Sequence, residues 1–121
     1  MKILIIDDDE LIRLTIKNTL KKLECTVLEA ENGNAGMALF KKEKPDLVIT
    51  DMLMPDKEGL ETISEIRAVN PNAKIIAMSG GGSSKNMAFL QLAQKMGASR
   101  IMSKPIKPDE LLNAIKSLIG I

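Results

Sequence analysis

Residues 3–9 read Ile3-Leu4-Ile5-Ile6-Asp7-Asp8-Asp9. Four consecutive apolar residues stop abruptly at three aspartates. A short, unbroken apolar run of this kind fits a strand buried on both faces, as in a parallel sheet, better than a half-exposed strand that alternates. The pattern recurs along the chain. Leu47-Val48-Ile49-Thr50 stops at Asp51, Ile75-Ile76-Ala77-Met78 stops at Ser79, and Arg100-Ile101-Met102 runs into Ser103 and Lys104. Thr26-Val27-Leu28 is a further short strand, closed by Glu31-Asn32-Gly33.

Amphipathic stretches separate these runs. Leu11, Ile12, Ile16, Leu20 and Leu23 recur at helical spacing, and Ala35 to Lys42 reads as a second helix that ends before Pro45. Leu60, Ile63 and Ile66 mark a third helix, ending before Pro71, and Met87, Leu90 and Ala93 a fourth, ending near Gly97. Pro108 opens the last one, with Asp109 and Glu110 in its first turn, where acidic groups suit the helix dipole. Its buried face is Leu111, Leu112, Ile115, Leu118 and Ile119. Five strand–helix pairs in alternation predict an α/β fold, a doubly wound five-stranded parallel sheet with five helices. They occupy residues 1–121 as one domain, with no repeat, linker or low-complexity segment.

Composition narrows the function. Lys and Arg number 17 against 16 Asp and Glu, and aromatic content is 2% with no Trp or Tyr. Neither a basic field nor a base-stacking surface is present, so nucleic acid is not an expected partner. The amino-terminal apolar run is too short for a signal peptide or a membrane span, which predicts a cytoplasmic protein with no membrane partner. The lone Cys25 permits no internal disulfide and is expected to be a small buried residue near a strand start. With no histidine and one cysteine, the usual zinc sites are excluded, whereas hard cations held by oxygen are not.

Ligands of open α/β sheets bind beyond the carboxyl ends of the strands. The side chains expected there are Asp7, Asp8 and Asp9, then Asp51, Ser79, and Ser103 with Lys104. A strand order of 2-1-3-4-5 sets the first and third strands side by side and brings Asp7, Asp8 and Asp51 together. Three such carboxylates repel one another, and a hard divalent cation relieves them. With one lysine they sum to about −2, which one Mg²⁺ brings to about 0. A carboxylate so placed can act as a nucleophile toward phosphorus, with the lysine as a point charge for a phosphoryl oxygen. Each residue also has a plainer role. Asp8 or Asp9 could cap the helix that follows, Asp51 could cap a loop before Pro55, and Lys104 could be a solvated surface lysine. The five groups carry weight because they fall on consecutive strand ends.

The whole chain resembles the receiver domains of response regulators, a flavodoxin-like family. The matching stretches are Ile3 to Glu10, Pro45 to Pro55 followed by Gly59, Ala77-Met78-Ser79-Gly80, Gly97-Ala98 and Ser103-Lys104-Pro105. The resemblance implies that Asp51 is the phosphoacceptor. It implies that Asp8 holds Mg²⁺ (or Mn²⁺ as a substitute) directly, Asp7 through water, and Leu53 through its backbone carbonyl. Ser79 and Lys104 would contact the phosphoryl group, with Lys104-Pro105 as a cis peptide bond that aims the lysine inward. The donor would be a phosphohistidine on a sensor histidine kinase or a histidine phosphotransferase. The output would be a downstream protein, met by a monomer or a phosphorylation-linked dimer. Gly80 and Gly81, in the loop after Ser79, would let that loop follow the hydroxyl. The chain departs from the family at Ile101, where Tyr or Phe is usual, so the output face should differ there.

Three other readings compete. A pseudo-receiver, a protein-interaction module not regulated by phosphorylation, would be free to lose members of this residue set. A phosphatase of the haloacid dehalogenase type needs a second aspartate two residues after the nucleophile, where this chain has Leu53. Gly80-Gly81-Gly82-Ser83-Ser84-Lys85 lacks the Gly-Lys-Ser/Thr ending of a nucleotide loop. No turnover of an external substrate is expected, because the product is the protein's own modified side chain.

Overall fold

A computed structural model describes residues 1–52, 59–80 and 91–120. The strands are β1 (Lys2–Ile6), β2 (Thr26–Ala30), β3 (Leu47–Asp51), β4 (Lys74–Gly80) and β5 (Arg100–Lys104). The helices are α1 (Glu10–Leu20), α2 (Gly33–Glu43), α3 (Gly59–Val69) and α5 (Pro108–Ile119), and residues 91–95 are helical and form α4. The strands make one sheet in the order β2-β1-β3-β4-β5, with every neighbouring pair parallel. The α/β doubly wound order expected from the sequence is the order observed.

Strand residues alternate between the two faces of the sheet. Leu4, Ile6, Val48, Ile75 and Ala77 pack with Met37 and Phe40 of α2, Ile63 and Ile66 of α3 and Ala93 of α4. Ile3, Ile5, Leu47, Ile49, Ile76 and Met78 pack on the opposite face with Ile16 and Leu20 of α1 and Leu111 and Ile115 of α5. This two-sided cover explains why β1, β3 and β4 are apolar at nearly every position. Each fully buried side chain contributes roughly 1.5–3 kcal/mol.

The helix ends follow local chemistry. The Asp9 carboxylate caps α1, accepting from the backbone N–H of Leu11 at 2.9 Å and of Ile12 at 3.4 Å. The Asn32 side chain caps α2, accepting from the Ala35 N–H at 2.8 Å. That cap starts the helix at Gly33, ahead of the expected Ala35. Pro108 stands in the first turn of α5 as expected.

Several expectations need correction. The edge strands β2 and β5 are not buried on both sides, because each has a single neighbour. Leu11 is 67% exposed, since Ile12, Ile16 and Leu20 define the inward stripe of α1 and Leu11 lies about 100° from it. Leu118 and Ile119 are only half-buried at the end of α5. Cys25 is half-buried as well, and that burial pushes its thiol pKa up. Among the described residues no helix is long and apolar enough to cross a membrane.

The two sides of α1 should respond differently to truncation. Ile16→Ala is expected to lower the unfolding free energy by about 2–5 kcal/mol. Leu11→Ala should change it by no more than about 0.5 kcal/mol. Urea unfolding followed by far-ultraviolet circular dichroism, which needs no tryptophan, checks both.

Candidate functional site

Parallel register brings the functional side chains to one level. Ile6 pairs with Thr50, so Asp7 and Asp51 leave adjacent strands side by side. Asp51 pairs with Met78, which sets Ser79 one step further along β4, and Gly80 pairs with Lys104. Carboxylate oxygens of Asp7, Asp8 and Asp51 lie within 4.8 Å of one another. The convergence expected from the strand order is therefore present.

Asp7 is fully buried. Its Oδ1 accepts from the Asp9 N–H at 2.9 Å, and its Oδ2 accepts from Lys104 Nζ at 2.9 Å. Asp51 is 5% exposed, and its Oδ1 accepts from the Met52 N–H at 3.0 Å with Lys104 Nζ 3.3 Å away. Asp8 is the exposed member of the cluster. The lysine is thus no free surface group. Its ammonium bridges the two buried carboxylates.

These contacts set the protonation balance. Burial holds the Asp51 carboxyl above the ordinary carboxylate value; the Lys104 charge opposes this, and the charge on Asp7 adds to it. Burial would lower the Lys104 ammonium, but its hydrogen bond to Asp7 and the charges of Asp51 and Asp7 outweigh that and raise it. Lys104 therefore remains a cation, while Asp51 is still short of positive charge.

Ser79 is fully buried, and its Oγ has no hydrogen-bond partner among the described residues. Such an orphaned hydroxyl costs about 1–3 kcal/mol unless something supplies a partner. It stands one residue past the strand position that faces Asp51. Clustered carboxylate oxygens suit a hard, oxygen-seeking divalent cation such as Mg²⁺. The donor set fits that ion, and the buried hydroxyl fits a polyanionic group beside it.

The other expected residues are placed as follows. Gly80 is not in a loop as expected: β4 runs on through Ser79, and Gly80 is its last residue, paired with Lys104. The Lys104–Pro105 peptide bond is cis. Ile101 lies half-buried on β5 opposite Ala77, packed against the α2–α3 face of the core. Leu53 and Gly81 lie outside the described residues.

Two participants escaped the sequence reading. Arg13 donates from Nη1 to the Asp7 backbone carbonyl at 2.6 Å. An arginine between Ile12 and Leu14 gives little sign of this, because its partner is main chain. Gly59, noted only as part of a motif, donates its N–H to the Met52 carbonyl at 3.1 Å. A Cβ there would collide with the Asp51 carbonyl oxygen, so the close approach of α3 to the end of β3 requires glycine.

A doubly wound sheet in this order, with acidic groups and one lysine gathered at its carboxyl rim, is the flavodoxin-like fold in its receiver form. The chain belongs to the response regulator receiver domain family, whose model matches residues 3–116. It is 37% identical over 117 residues to the chemotaxis protein CheY of Listeria monocytogenes, covering 96% of each chain. It is 30% identical over 118 residues to the sporulation initiation phosphotransferase F of Bacillus subtilis, covering 98% of this chain and 93% of that one. Among solved structures, a response regulator receiver domain protein from Clostridium thermocellum superposes with a TM-score of 0.90 at 34% identity, covering 98% and 94% of the two chains. The protein is thus a CheY-like receiver domain of two-component signalling.

The raised pKa of Asp51 has a consequence for stability. The folded state holds this proton more tightly than the unfolded chain does. The resulting stability is fully present below the ordinary carboxylate pKa and is lost as pH rises through the raised value. In metal-free buffer, Asp51→Asn should therefore melt at a higher temperature than wild type at neutral pH. That advantage should close as pH falls through the carboxylate range. Melting curves by circular dichroism across pH test this, and an unchanged or lower midpoint for the variant at pH 7 refutes it.

Proposed function

We propose that Asp51 accepts a phosphoryl group from a phosphohistidine and that the modified domain then signals to a protein partner. The observation that carries this is the placement of one buried, charge-deficient carboxylate beside Lys104, within the aspartate cluster, on a rim that also holds the Ser79 hydroxyl, buried and without a partner among the described residues. In the reaction a carboxylate oxygen of Asp51 attacks phosphorus and a P–O bond forms. The P–N bond of the donor breaks, and its electron pair stays on the imidazole nitrogen, which ends protonated. The donor is a sensor histidine kinase or a histidine phosphotransferase.

Asp7, Asp8 and Asp51 would hold Mg²⁺, with Mn²⁺ as a substitute; the family resemblance adds the carbonyl of Leu53, which lies outside the described residues. When bound, the ion supplies positive charge against the phosphoryl oxygens. The chain's own groups do the rest. Asp7 holds Lys104 in place, and Lys104 offers its ammonium to a phosphoryl oxygen. Ser79, whose hydroxyl has no partner among the described residues, donates to another. Phosphorylation adds about −1.5 to −2 of charge and three acceptor oxygens, which would draw the Ser79 hydroxyl inward. Ile101 has no polar tip with which to follow that motion. The protein does not turn over an external substrate, since the phosphoryl group stays on its own side chain.

Incubation with acetyl phosphate or phosphoramidate and Mg²⁺, followed by intact-mass spectrometry, tests the proposal. One phosphate should be gained, and Asp51→Asn or excess chelator should abolish the gain. Asp8→Asn should raise the Mg²⁺ requirement at least about tenfold. Ser79→Ala should lose the phosphorylation-dependent change in partner binding. An unmodified wild-type protein would instead be a pseudo-receiver, and steady release of inorganic phosphate without a lasting adduct would indicate a phosphatase.

A further inference from the structure

Every polar group of Asp7 is engaged. Its N–H donates to the Ala30 carbonyl of β2 at 3.1 Å, and its side-chain oxygens accept from Asp9 and Lys104. Its own carbonyl accepts from Arg13 Nη1 at 2.6 Å. That carbonyl lies in the same rigid peptide plane as the N–H of Asp8. Whatever fixes the carbonyl fixes the rotation of that plane, and so the direction in which Asp8 leaves it.

Arg13 is itself braced. Its Nε donates to Glu29 Oε1 at 3.2 Å, and Lys17 Nζ lies 3.0 Å from the other oxygen of the same carboxylate. Its side chain is 14% exposed. The guanidinium thus spans from β2 to the turn that carries the aspartates, with two donors on two partners. A lysine ammonium is a single point and cannot hold both in that fork geometry.

We propose that Arg13 is a positioning residue for the cation and phosphoryl site. Through the Asp7 carbonyl it sets where the Asp8 carboxylate stands relative to Asp7 and Asp51. Glu29 and Lys17 hold the guanidinium at that post. The inference rests on the receiver reading above, in which Asp8 is a metal ligand.

The test compares wild type with Arg13→Ala, Arg13→Lys and Glu29→Gln, each shown to be folded by circular dichroism. Mg²⁺ is titrated calorimetrically, and the rate of phosphorylation by acetyl phosphate is followed against Mg²⁺ concentration. Both Arg13 variants should bind Mg²⁺ about tenfold more weakly and need about tenfold more for half-maximal rate. Their rate at saturating Mg²⁺ should approach that of wild type. Glu29→Gln, whose amide oxygen still accepts, should shift less. A role confined to stability would lower the rate at every Mg²⁺ concentration and leave the half-saturation point unmoved, which would overturn the proposal. So would an Arg13→Lys variant that matches wild type.

A second readout separates this claim from the reading beneath it. Asp9 donates its N–H inside the same turn, so its amide exchange in metal-free buffer should be faster in both Arg13 variants. Wild-type protection there would show that Arg13 does not hold the turn. A wild-type protein without affinity for Mg²⁺ would instead sink the metal reading itself.

Discussion

Lys104 reaches across the end of the sheet to two buried carboxylates, 2.9 Å from Asp7 and 3.3 Å from Asp51. Everything at this rim turns on the fact that, among the described residues, the Lys104 ammonium pairs with two members of a cluster of three carboxylates. Burying carboxylates is costly unless they are paired and hydrogen-bonded. Asp7 meets those terms, with both side-chain oxygens occupied. Asp51 meets them only in part, and its proton stays harder to remove than that of a free carboxyl. The fold therefore tolerates a local deficit of positive charge at a single side chain. Deficits of that kind mark functional positions more often than structural ones.

The sheet is what makes the deficit possible. Its two-sided apolar cover fixes the register, because a slip by one residue would turn every buried side chain toward the wrong face. With the register fixed, Asp7, Asp51, Ser79 and Lys104 reach the same rim from four different strand ends. The turns are held just as firmly. Asp9 caps α1 while its own N–H serves Asp7, so one residue starts the helix and orients the site. Gly59 lets α3 begin against the Asp51 carbonyl. Packing energy far from the rim is thus converted into positional accuracy at it.

Much of this was legible in the sequence because the strongest signals coincide. The apolar runs of β1, β3 and β4 announce doubly covered strands, and polar residues end each of them. Legibility failed where burial is one-sided or where the partner is backbone. β2 carries Thr26 and Glu29 as an edge strand, so its pattern differs from the central ones. Leu11 falls within a plausible apolar repeat yet points outward, because the five apolar residues of this short helix fit two stripes about equally well. Arg13 bonds a carbonyl, and no residue-type pattern encodes that. The competing roles for the acidic run were both real but divided, with Asp9 taking the cap while Asp7 and Asp8 remained in the cluster.

Ser79 and Ile101 together suggest which way a signal leaves the rim. The Ser79 hydroxyl is buried without a partner among the described residues, so it gains a hydrogen bond if a phosphoryl oxygen arrives. Ile101 gains nothing comparable. Its side chain is aliphatic, and it already packs on the core face that holds Ile75 and Ala77. A β-branched residue also has few rotamers to exchange. A ligand shifts an equilibrium only through contacts that differ between its two states. On that criterion an arriving phosphoryl group would act through the Ser79 hydroxyl, whereas Ile101 would offer it no new contact.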